Sequence, residues 1–248
     1  MAVEDRRRDW FQMGRVFSRT WQSVREMPQL GLVIIGLFVV APEALVAVLV
    51  SQQASESTQV LSENMFNIPL GLIAMVGQTA LVHAALNRQQ GKSVTVGSSL
   101  SVAGSLFLPM WGVSILTSLG IGLGLILLVV PGLYLMTLWS VAVPARIMNG
   151  PGVSDAMSAS AELTKGVRWQ VFALILLAGI VLGSGVGAVY IGVEYLPGVG
   201  RLVGSAVLAP IALGLITLIF SYGSAALYHE LKWGPEQGPA DVTAELFD

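Results

Sequence analysis

Long apolar runs alternate with short polar segments along the chain, and the length of the runs decides its class. A helix needs about 17–25 residues to cross a hydrocarbon core of about 30 Å. Six runs approach or reach that length, at 30–50, 68–86, 106–130, 133–148, 169–195 and 202–228. The fourth is short because Arg146 ends it, and its opening Pro131-Gly132 pair leaves open whether it crosses fully. The pattern predicts an all-α integral membrane protein with six transmembrane helices.

The polar segments SRTWQSVRE, GSSLSVAGSL and SDAMSASAELTKG precede the first, third and fifth runs and have helical character. In the last of them Ser154 is a candidate N-cap and Gly166 a candidate C′ residue. The three far-side connections, NIPLGLIA, VVPGLYLM and YLPGVGRL, carry Pro69, Pro131 and Pro197. Proline fits the first turn of a helix, where its missing N–H would have no partner anyway. Three hairpins are therefore expected, each preceded by a cytoplasmic-surface helix, as a possible threefold repeat of roughly 64 residues. The alternative is that any membrane hairpin favours proline in its turn. The predicted plan is a surface helix over 1–29, a membrane domain over 30–232 and an acidic tail over 233–248. The tail's glycines, prolines and carboxylates predict disorder, with its closing AELFD as a candidate docking peptide.

Composition strengthens the membrane reading. Hydrophobic residues make up 54% and charged residues 11%, against about 25% charged in a soluble domain. The charged lead is too long for a cleavable signal, so the first run is read as a retained span. Threading six spans alternately puts all but one of the 13 lysines and arginines on one side, the exception being Arg201. The positive-inside rule then predicts both termini in the cytoplasm. No nucleic-acid-binding pattern is present, and the chain has no cysteine.

From Asp9 to Met27 a helical wheel gathers Trp10, Met13, Gly14, Phe17, Trp21 and Val24 on one face. Arg8, Arg15, Arg19, Gln22 and Glu26 lie opposite. That pattern predicts a helix in the lipid headgroup layer, or else one docked on the protein's own cytoplasmic loops. Small residues should let spans approach closely, because lipid supplies no hydrophobic drive between helices. Candidates are Gly120 and Gly124 on the third span and Gly179, Gly183 and Gly187 on the fifth. They are expected to pair within one chain, with a homo-oligomer as the other use.

Pro42 and Glu43 interrupt the apolar stretch FVVAPEALVAV. A break at Ala41, with Glu43 complementing a new helix start, is one reading; a proton- or substrate-handling carboxylate is the other. Arg201 is a candidate partner for Glu43, with Glu194 in competition. Gln78 and His83 add polar groups to the second span but fall on different faces. No catalytic triad, metal motif or phosphate loop can be assembled, so no enzyme activity, cofactor or metal is expected.

The runs VPGLYLMTLWSVAVPARI and AMSASAELTKGVRWQVFALILL, with ALYHELK, resemble a broad group of bacterial inner-membrane proteins. Their six-helix unit is similar to the membrane domain attached to some glycerophosphodiester phosphodiesterases. The resemblance covers 131–232 well and the first hundred residues in outline. It implies a bacterial inner-membrane location, while the catalytic barrel of those enzymes has no counterpart here. Relatives often carry an acidic residue where this chain has Asn149, and an arginine where it has Ala159, before Ser160. Two functions are expected from this reading. One is a non-catalytic scaffold, assembly partner or bilayer-shaping component that contacts membrane lipids and a protein partner or second copy. The other is a transporter or binding protein for a lipid-like or amphipathic substrate.

Overall fold

The computed structural model describes residues 11–51, 56–150 and 152–234, with the side chains of 56–64 and of Asn149 left out. The expectations for Arg8, Trp10 and the 235–248 part of the tail lie outside the described residues. These are helical throughout their regular structure, without a strand. Six helices are long and apolar enough to cross a membrane: Pro28–Ser51, Met65–Gln89, Phe107–Leu127, Val129–Met148, Arg168–Glu194 and Val199–Trp233. The chain is thus built as a membrane protein.

In chain order the helices are α1 (Met13–Glu26), α2 (Pro28–Ser51), α3 (Glu56–Gln89), α4 (Val96–Ser105) and α5 (Phe107–Leu127). They continue with α6 (Val129–Leu138), α7 (Ala142–Asn149), α8 (Val153–Leu163), α9 (Arg168–Glu194) and α10 (Val199–Trp233). Three of these, α1, α4 and α8, are short and precede long apolar helices. Thr95 caps α4: its hydroxyl accepts from the Ser98 N–H, while the Ser98 side chain returns the contact to the Thr95 backbone.

Pro42 does not break α2. Its ring would clash with the Phe38 carbonyl, which it also deprives of a donor. The chain absorbs the conflict one turn earlier, where Gly36–Val40 widens into a π-helix before Ala41 returns to α geometry. The helix α10 repeats the device, with a π-turn over Gly204–Leu208 just ahead of Ala209-Pro210. GLFVVAP and GSAVLAP share the spacing glycine, four residues, alanine, proline. Gly36–Val40 packs against the part of α10 that follows its π-turn, where a Cβ at Gly214 would stand 3.0 Å from Val40, and Gly204–Leu208 packs against Ala41–Ser51.

Pro69 is a correction. It was expected in a hairpin turn, but it lies inside α3, well past the helix start at Glu56. Membrane helices tolerate such a proline because neighbouring groups re-satisfy the freed carbonyl. Pro197 is in a turn and Pro131 in the first turn of α6, so the proline spacing marks two turns and not three.

The fourth span is two helices in succession. Between α6 and α7 the chain leaves helical geometry at Trp139–Val141. The fully buried Ser160 of α8 bridges this break. Its Oγ accepts from the Val141 N–H at 3.3 Å and donates to the Leu138 carbonyl at 2.8 Å.

Buried side chains concentrate at the end of the bundle that carries both described termini. Residues of Ala80–Leu86 in α3 and Tyr222–Leu231 in α10 meet there with Val16 of α1 and Phe11 just ahead of it. The opposite half is looser, and Leu125–Val130 at the α5–α6 turn are largely exposed. That contrast opens a chamber among the spans.

Candidate functional site

A chamber of about 810 Å³, more open than enclosed, lies among α3, α5, α6, α9 and α10. Trp111, Met136, Ile175, Ile180 and Phe220 give it apolar walls. Asn67, Gln78, Ser114 and Thr217 supply its polar side chains, and none of the described residues lining it is charged. Ser114 and Thr217 have already committed their hydroxyl protons. Ser114 Oγ donates to Met75 Sδ at 3.6 Å, and Thr217 Oγ1 donates to the Leu213 carbonyl at 2.8 Å. Gln78 is half-buried near the middle of its span, and its amide makes no hydrogen bond to a described residue.

The five polar residues picked out from the sequence do not form one site. Gln78 lines the chamber; Glu43, His83, Glu194 and Arg201 do not. His83 turns to α4, with Nδ1 3.4 Å from Ser99 Oγ. Arg201 takes Glu194 and not Glu43: Nη2 donates to Oε2 at 2.6 Å across the exposed α9–α10 turn. Glu43, half-buried on α2, forms no ion pair with a described residue.

The glycines divide in two. Those of α5 are packed within the chain: a Cβ at Gly120 would fall 2.5 Å from the Trp139 ring, and one at Gly124 2.8 Å from Gly132 Cα. Gly179, Gly183 and Gly187 of α9 have nothing within 4 Å of their Cβ positions. Only 6% of the most apolar stretch of α9 is buried, against 39% for the fourth span. Pairing within one chain therefore describes the α5 glycines and not those of α9.

At the terminus-bearing end, a carboxylate that the sequence reading passed over holds α1 in place. Glu230 is completely buried. Arg15 donates to its Oε1 from Nε at 2.9 Å and from Nη2 at 2.6 Å, and Arg19 Nη1 donates to Oε2 at 3.2 Å. Arg19 Nη1 also lies 2.6 Å from His229 Nδ1. Burial draws the Arg19 pKa down, with the Glu230 charge opposing and the Arg15 charge adding to the fall. Arg15 and Arg19, placed opposite the aromatic face in a helix expected either in the headgroup layer or docked on the protein itself, thus tie α1 to α10. Phe17 and Trp21 are left outward, 73% and 49% exposed. Two signals pointed to Glu230. An acid in the last turn of a helix opposes the helix dipole, and arginines four residues apart on α1 share one face.

A second tie joins α1 to the end of α3, where Arg88 Nε donates to Glu26 Oε2 at 2.6 Å. Hydrogen bonds from Gln22 and then Arg88 hold the Glu26 carboxyl below its ordinary pKa. Among the described residues no group of three or more His, Asp or Glu side chains is placed to hold a metal ion. No family model matches the chain, and no curated protein or solved structure matches it.

Proposed function

We propose that this chain is a non-catalytic integral protein of a bacterial inner membrane, acting as an assembly partner or scaffold. In this reading three hairpins, each preceded by a surface helix, leave both termini in the cytoplasm. The arginine and lysine distribution supports that orientation. The outward Phe17 and Trp21 support a headgroup-level position for α1. The observation that carries the proposal is the open glycine face of α9. Small residues every four positions on a span favour close approach of another helix, and no described residue comes within 4 Å of the Cβ positions of Gly179, Gly183 and Gly187. The partner is a second copy of the chain.

Native mass spectrometry on protein extracted with its surrounding lipid tests this. Wild type should appear as a defined dimer, and Gly183→Leu as a monomer of unchanged helicity. The substitution meets nothing within the chain at its Cβ. A monomeric wild type, or a dimer indifferent to Gly183→Leu, contradicts the proposal. A second reading, binding or transport of a lipid-like molecule, is favoured by the chamber and its unpaired Gln78 amide.

A further inference from the structure

The structure assigns the chamber between α3, α5, α6, α9 and α10 to one uncharged, single-chain lipid whose head carries a hydroxyl. This deepens the lipid-binding reading, and the chamber shares Gly179 with the glycine face of α9. A cavity of about 810 Å³ is within the range of roughly 300–1,000 Å³ that holds a drug-sized ligand. Its walls belong to apolar spans, so the molecules at hand to fill it are those of the bilayer.

The polar inventory selects among them. Transferring a charged head into a site without a counter-charge costs far more than transferring a hydroxyl. Among the described residues no lysine or arginine lines the chamber, which disfavours a phosphate, and no aspartate or glutamate does, which disfavours a cationic head. Arg201, the cation of the opposite turn, lies elsewhere. Gln78 presents an amide that both donates and accepts, and a hydroxyl head uses both capacities. Ser114 and Thr217 have spent their protons, so each offers only an oxygen acceptor to such a head.

Length agrees. From Asn67 at one limit of the chamber to Gln78 is three turns of α3, about 16 Å at 1.5 Å per residue. That is room for most of one acyl chain beside the helix, and the open side of the chamber admits the rest. Gly179 opens the wall opposite, and its Cβ position is empty.

The test uses the full chain in nanodiscs doped with equal amounts of monoolein and oleoyl lysophosphatidylglycerol, a matched uncharged and charged pair. Native mass spectrometry then reads the lipid retained. Wild type should keep one monoolein in preference to the charged lipid. Gln78→Leu and Ala74→Leu should each lower monoolein retention at least tenfold, with circular dichroism confirming the fold. Equal or preferred retention of the charged lipid overturns the assignment of ligand class. Monoolein retained equally by wild type and both variants overturns the site while leaving lipid binding standing. No lipid retained by wild type overturns the site and the lipid-binding reading together.

Discussion

Single residues separate structural polarity from candidate chemistry. Glu230 is buried against two arginines, and removing one member of such a group strands the others without a counter-charge. Glu230→Gln should lower stability by about 3 kcal/mol and free α1, read as earlier thermal unfolding and faster tryptic cleavage after Arg15 or Arg19. Glu43 has no ion-pair partner among the described residues, so Glu43→Gln should leave thermal stability unchanged in the same assay. The two glycine sets give a second contrast. Gly120→Ala drives a methyl group into the Trp139 ring and should cost about 1–3 kcal/mol. Gly183→Ala meets nothing and should stabilise the isolated chain by up to about 1 kcal/mol through helix propensity. Denaturant unfolding in a mild detergent measures both.

For the helices, hydropathy alone made the spans legible, because burial in lipid demands a length that few other structures need. The six expected runs and the six observed helices differ mainly at their ends. What the pattern concealed was how irregular backbone is accommodated. Pro42 reads as a break in one dimension, yet a π-turn absorbs it without ending the helix. Pro69 reads as a turn because it resembles Pro131 and Pro197, but α3 begins before it. The break in the fourth span rests on Ser160, which is distant in sequence and was noted only for its neighbour. Only the Gln78 part of the chamber was visible beforehand, since a cavity depends on how spans diverge. Pro42→Ala should let Gly36–Val40 revert to α geometry and turn the outer segment Ala41–Ser51 by about 100°, one residue's rotation. A single cysteine at Leu45, 60% exposed and in a chain otherwise free of cysteine, should then lose much of its labelling by a lipid-soluble maleimide.

Across the whole molecule, packing is uneven: firm at the end that carries both described termini, loose toward the other. One tie at the firm end, Arg88 to Glu26, responds to acid. Glu26 has a depressed pKa in the folded protein, so its contribution is present above the unfolded carboxylate pKa. It fades as pH falls through the lower, folded value. Docking of α1 should weaken slightly below the ordinary carboxylate range, and Glu26→Gln should remove that part of the pH dependence. Because the pair is well exposed, the change is small and is best read by NMR titration of the Glu26 carboxyl. At the loose end, α9 stands away from the bundle with its glycines uncovered. The most direct test of assembly is photo-crosslinking in intact membranes, from a photoreactive residue placed at Gly183 and, separately, at Leu177 on the other face of α9. The account predicts one adduct of twice the chain's mass from position 183 and none from 177. Adducts from neither position, or equally from both, would contradict it.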